Sequence, residues 1–226
     1  MGLRGDVKVL ELAGRRIPRG KSLDVQLPLS QTYSGANVRI PVRVWRGERP
    51  GPAVFVTGAI HGDEINGAGI VREIIVGAPF QIVAGTLVLA PVVNMFGFER
   101  HSRYLPDRRD LNRHFPGSQS GSPASRLAHA VFNELVARCD YGIDLHSAAV
   151  RRTNFPGVRA DLLRPEARRI AFAFGCELVV NGKGPKGSLR RAACRKAAPR
   201  SSSRPARSGR SSRAWSRSAC AACATR

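Results

Sequence analysis

Four short apolar runs, separated by segments of helical periodicity, constrain this chain more than any other feature. AVFVTGAI (53–60), GTLVLAPVV (85–93), YGIDLH (141–146) and CELVV (176–180) all have strand length. Runs this short and this apolar suit strands covered on both faces. Between the first two, INGAGIVREIIVG (65–77) places Ile65, Ile70, Ile74 and Ile75 at helical spacing, with Gly77 as a stop. Ser122-Pro123 offers an N-cap and a first-turn proline for a helix to about Cys139, with Leu127, Val131, Leu135 and Val136 on one side. Residues 164–174 read as a further helix stopped by Gly175. Strands alternating with helices predict an α/β fold, a mostly parallel or mixed sheet flanked by helices. Upstream, SLDVQLPLSQ (22–31) and NVRIPVRVWR (37–46) alternate apolar and polar residues around Gly35, which predicts an N-terminal antiparallel strand pair.

A length of 226 residues, 42% of them hydrophobic, suits one domain with a core of its own. No apolar run approaches the ~18 residues of a membrane span. The first twenty residues lack the apolar centre of a signal peptide, so the expected address is cytoplasmic. Five cysteines are an odd number, and their spacing suggests no disulfide framework. The net charge of +21 is concentrated: 13 of the 37 Lys and Arg lie from Lys183 onward, where there is no Asp or Glu. Residues 1–182 hold the other 24 with all 16 acids, a net charge of +8, as in an ordinary, mildly basic domain.

In such sheets chemistry gathers at the carboxyl ends of the strands. His61, Asn94 and His146 all fall just past predicted strand ends. His61-Gly62-Asp63-Glu64 follows a strand and enters a helix, and a spacing of three puts imidazole and carboxylate on one side of a turn. Alone, H-x-x-E is more often a helix N-terminus that favours acids. Asp144-Leu145-His146 ends another strand, and its acid can orient the histidine from behind. Together the motifs supply His, Glu and His, the three protein ligands that a catalytic zinc site needs beside an open position. Between them lie Ser102-Arg103-Tyr104 and Asp110-Leu111-Asn112-Arg113. Two arginine forks and an asparagine near a metal can hold a carboxylate and polarise a carbonyl, although RDLNR alone also suits a solvated loop.

HGDE, PVVNMFGFE, SRY, DLNRHFPG and DLH, in that order, resemble the succinylglutamate desuccinylase/aspartoacylase family, which is related to the zinc carboxypeptidases. The resemblance runs from about residue 35 to about residue 193. It implies a zinc-carboxypeptidase-like fold and one Zn²⁺ per chain, held by His61, Glu64 and His146. It also implies Arg103 at the scissile carbonyl, Asn112 and Arg113 on the substrate's carboxylate, and Asp63 and Asp144 behind the ligands. The implied activity is metal-assisted hydrolysis of the amide of an N-acyl amino acid or similar small carboxylate, with no membrane partner. In the family a glutamate in a Glu-x-Gly segment, after a buried strand downstream of the last histidine, moves the proton from water to the leaving amine. Here the acids after His146 are Asp161, Glu166 and Glu177, and none matches that pattern.

The composition changes from about Arg195. RKAAPRSSSRPARSGRSSRAWSRSACAACATR has no Val, Ile, Leu or Phe, so it cannot build a core. Residues 1–194 are thus expected to form an incomplete catalytic domain, and 195–226 an unordered Arg/Ser/Ala-rich tail. An Arg/Ser tail that binds nucleic acid is the competing reading. The genetic code favours a third: if Ser201, Ser202 and Ser203 are TCN codons, a one-base shift makes each Phe, Leu, Ile or Val. With GC-rich codons the segment can then continue into Glu-x-Gly, the element that is missing. Gly182 to Ser188 lacks the lysine of a phosphate-binding loop and is expected to be a flexible connection.

Overall fold

A computed structural model describes residues 10–31, 37–149, 152–197 and 221–225. Ten strands and five helices follow in chain order: β1 (Leu10–Leu12), β2 (Arg15–Ile17), β3 (Ser22–Gln31), β4 (Asn37–Arg46), β5 (Arg49–Thr57), α1 (Ile65–Gly77), β6 (Ala84–Ala90), α2 (Met95–Glu99), α3 (Pro123–Val131), β7 (Tyr141–His146), β8 (Gly157–Ala160), α4 (Pro165–Ala173), β9 (Leu178–Asn181), α5 (Leu189–Ala197) and β10 (Ala221–Thr225). β1 and β2 form a small hairpin; the other eight form one sheet in the order β3-β4-β6-β5-β7-β10-β8-β9. The sheet is mixed. β6, β5, β7 and β10 run parallel, as do β8 and β9, while β3, β4 and β6 pair antiparallel and β10 meets β8 antiparallel.

The two faces of the sheet follow from residue alternation. Ile40, Val42 and Val44 of β4 join Phe55 and Val88 in one core, closed by Leu127 and Val131 of α3 and by Leu189, Ala192 and Ala193 of α5. Trp45, Val56, Leu89 and Leu145 face the other way, against Val71 of α1. Burying a side chain such as Phe55 contributes about 1.5–3 kcal/mol. The predicted helix from Ser122 is present: the Ser122 hydroxyl accepts from the Ser125 N–H at 3.3 Å. It widens into a π turn over Phe132–Val136 before it ends. β8 and α5 lie where apolar periodicity gave no signal, because GVRA is four residues long and α5 buries only alanines, a leucine and a cysteine.

Two pieces of the segment expected to lack packed structure are described. α5 extends to Ala197, and Ala221–Thr225 enter the sheet as β10 between β7 and β8. A strand is recruited through main-chain N–H and C=O groups, and Ala-Ala-Cys-Ala-Thr offers these as well as any sequence does. Residues 198–220, most of the tail, lie outside the described residues, as does Gly35. Cys139 and Cys176 are free thiols, whereas Cys194 is disulfide-bonded, a bond that the cysteine spacing does not signal. No helix among the described residues is long and apolar enough to cross a membrane.

Candidate active site

The carboxyl ends of β5 and β7 lie side by side, with Thr57 in register with Asp144. Past β5 the chain turns through Ala59, a non-glycine residue at φ 46, and reaches His61. His61 to Glu64 is a tight turn, closed by the Glu64 N–H donating to the His61 carbonyl at 3.2 Å. Glu64 stands at the start of α1 but does not cap it. Its side chain turns to the histidines instead.

His61 Nδ1 lies 2.8 Å from Glu64 Oε1, and His146 Nδ1 lies 2.7 Å from Glu64 Oε2. The two rings are 5.1 Å apart, and the three ligating atoms fall within 4.8 Å of one another. Two imidazole nitrogens converging on one carboxylate are the donor set that zinc accepts, so these residues fit such an ion. The far nitrogens are held as well: His146 Nε2 by Asp144 at 2.8 Å and His61 Nε2 by Asp110 at 3.2 Å. Asp144 is fixed in turn by the Thr57 hydroxyl at 2.8 Å. Acids behind a ligating histidine set its tautomer and ring orientation.

Among the described residues the acid behind His61 is thus Asp110 and not Asp63. The Asp63 side chain makes no hydrogen bond or ion pair with the described residues, and its Oδ1 is buried without a partner among them. Asp110 bonds His61, accepts from Arg103 Nη2 at 2.8 Å, and accepts from the Asn112 N–H at 2.8 Å. One carboxylate thus links a histidine of the cluster, the arginine and the 3-10 turn Leu111–Arg113. Arg103 Nη1 also reaches Glu64 Oε1 at 3.5 Å. Burial opposes a charged His61, but its bonds to Asp110 and Glu64 outweigh this and raise its pKa above 6.5. Burial likewise opposes ionised Glu64, yet the two histidines bring it down to about 2. Asp110 sits well below the usual carboxylate range, because His61 and Arg103 overcome the cost of its burial.

These groups open on a cavity of about 210 Å³, lined also by Asn112, Arg113, Ser147, Asn154 and Arg159. The Asn112 Oδ1 accepts from the Leu189 N–H at 2.8 Å, which leaves its amide nitrogen as the donor available to the cavity. The Arg113 guanidinium meets only the Asn112 carbonyl among the described residues, at 2.9 Å. The 182–188 connection is pinned: Phe115 donates to the Gly187 carbonyl at 2.8 Å, and Ser188 is buried. A Cβ at Gly187 would overlap the Arg113 carbonyl oxygen, so only glycine lets this loop seat against the turn. Asn94, predicted near the chemistry, is instead a buried cap: its Oδ1 accepts from the Gly97 N–H at 2.9 Å. None of Asp161, Glu166 and Glu177 lines the cavity.

Gly62 carries a similar close approach between two of the cluster's residues. A Cβ there would overlap the Gly97 carbonyl carbon and the Phe98 nitrogen of α2, both backbone. Gly62→Ala should therefore cost about 2–3 kcal/mol of folding stability and displace His61 and Glu64 together. Denaturant unfolding beside a zinc titration measures both; a variant within about 0.5 kcal/mol of the parent would show that the turn has room.

A model of the succinylglutamate desuccinylase/aspartoacylase catalytic domain matches residues 50–202. The chain belongs to this family. Over 126 residues it is 35% identical to the N-alpha-acetyl-L-2,4-diaminobutyric acid deacetylase of Halomonas elongata, a match spanning 54% of this chain and 36% of that protein. Its fold is similar to a succinylglutamate desuccinylase/aspartoacylase from Rhodobacter sphaeroides, with a TM-score of 0.68 and 25% identity over 91% of this chain and 56% of that one. It also resembles the product-bound ectoine utilization protein EutE of Ruegeria pomeroyi, with a TM-score of 0.67 and 21% identity over 98% and 65% of the two chains. The chain is thus shorter than these relatives, spanning about a third to two thirds of their lengths. The zinc-carboxypeptidase-like architecture expected from the motifs is the one observed.

Proposed function

We propose that this chain carries the metal-binding and substrate-binding parts of an amidohydrolase acting on an N-acyl amino acid or similar small carboxylate. One Zn²⁺ per chain would be held by His61, Glu64 and His146. The observation behind this reading is the convergence of three ligating atoms within 4.8 Å in a cavity that also presents Arg103, Asn112 and Arg113. Bound there, zinc supplies a Lewis acid for the amide carbonyl and lowers the pKa of a water molecule.

The residues of the chain do the rest. Asp144 and Asp110 keep the far nitrogens of both histidines occupied, so their Nδ1 atoms face inward. Arg103, anchored through Nη2 on Asp110, donates to the carbonyl oxygen as negative charge builds on it. The Asn112 amide and the Arg113 fork take the carboxylate, which sets the distance from that group to the amide. Among the described residues, no carboxylate lining the cavity is free to move the proton: Glu64 and Asp144 are both engaged by histidines, and β10 has no acid. We therefore assign low hydrolytic activity to the chain as written.

Arg113→Lys keeps the charge but loses the planar fork, and should weaken carboxylate substrates about tenfold or more. The specificity constant of a catalytically complete version checks this, and an unaltered value would remove Arg113 from its role. The nucleic-acid reading rests on the 13 basic residues from Lys183 onward. Binding to DNA or RNA that weakens steeply with salt, and disappears without residues 195–226, would favour it.

A further inference from the structure

Strand register extends the cavity beyond the metal cluster. Cys223 of β10 pairs with both Asp144 of β7 and Arg159 of β8. On β8 and β9, Gly157 pairs with Leu178 and Arg159 with Val180. Paired residues share a face of a sheet, as do residues two apart along a strand. Asp144, His146, Arg159, Leu178 and Val180 therefore lie on one face, with the Leu178 side chain against Gly157. At about 4.8 Å per strand, Val180 stands roughly 14 Å from Asp144.

A second cavity on this face, of about 160 Å³, is lined by Asn154, Phe155, Gly157, Arg159, Leu178 and Val180. Asn154 and Arg159 line both cavities, so the two are neighbours across those side chains. The annex is apolar apart from these two residues. Phe155 is 63% exposed, Leu178 42% and Val180 41%, so three large apolar side chains meet water at the far end of the annex from the histidines. The Arg159 side chain makes no hydrogen bond or ion pair with the described residues, and its aliphatic stem can cover an apolar group while its head stays solvated.

We propose that this annex receives an apolar acyl chain of the substrate, so that the site selects N-acyl amino acids with acyl groups longer than acetyl. The inference rests on the function proposed above. Asn112 and Arg113 hold the carboxylate end on the turn beside α5, which leaves the acyl end to run toward β8 and β9. Leu178, Val180 and Phe155 would be covered as the chain enters, and each buried methylene adds a similar increment of affinity.

The test is calorimetric titration of the zinc-loaded chain with acetyl-, octanoyl- and dodecanoylglycine, the last long enough to span the roughly 14 Å to Val180. Affinity should rise about threefold to fourfold for each methylene that enters the annex. Val180→Asp and Leu178→Ser, both at exposed positions of an edge strand, should flatten that rise, whereas Val76→Asp on the far helix α1 should retain it. Arg113→Lys should weaken all three ligands alike. Equal affinities for the three in the parent chain, or a rise that survives both β9 substitutions, would overturn the annex and leave the zinc and carboxylate reading standing. An absence of zinc-dependent binding by any of them, with no effect of Arg113→Lys, would overturn both.

Discussion

His146→Ala should lower the zinc affinity of this chain by at least about a hundredfold, and His61→Ala should do the same. Replacing a residue that merely orients a ligating histidine costs about 10–100-fold, and loss of the histidine itself exceeds that. Glu64 would keep one imidazole partner instead of two. Folding suffers too, because His146 satisfies buried carboxylates on both sides, Glu64 at 2.7 Å and Asp144 at 2.8 Å. Removing one partner of a buried charged pair costs about 3–5 kcal/mol, so each variant needs a circular dichroism spectrum beside its zinc titration. Folded variants that retain the parent's zinc content would exclude these histidines as ligands.

A one-base correction between the codons for Arg195 and Arg204 should raise N-acyl amino acid hydrolysis about 10²–10⁴-fold, the usual value of a positioned proton-transfer group. The structure sharpens this expectation. A place in the sheet beside Asp144 and His146 is filled by Ala221–Thr225, a strand rich in alanine, a poor strand former, and without a carboxylate. An apolar strand ending in Glu-x-Gly in that place would bring an acid to the carboxyl end of β7. The nucleotide sequence and a rate comparison of the two versions decide the matter. Hydrolysis by the unaltered chain at rates typical of enzymes would defeat the prediction, as would the absence of any open alternative frame.

The parts that were legible in the sequence are those whose signal is local. β5, β6 and β7 announce themselves as apolar runs, and His61, Glu64 and His146 as motifs at strand ends. What escaped depends on distant pairing. The resemblance points to Asp63, next to a ligand in sequence, whereas Asp110 reaches His61 across 49 positions. The clue was present in Asp110-Leu111-Asn112-Arg113, whose acid caps the turn and so must point the way the turn faces. β8 was illegible for a related reason. Its Arg159 interrupts any apolar pattern, since that face of the sheet opens on a cavity instead of a core.

The bond from Phe115 to the Gly187 carbonyl has a further consequence. With the bond from Leu189 to Asn112, it ties the segment that bears the carboxylate grip to the start of α5. Phe115 and Gly187 meet through main-chain atoms, so of the side chains that line the cleft only Asn112 takes part in these two ties. Ser147, Asn154 and Arg159 stand outside them, so exchanging these should alter what the cleft recognises while its gauge stays constant. A scaffold of this kind behaves like a lathe chuck with replaceable jaws: the grip is retooled for a new workpiece, and the axis on which the cut is made does not move.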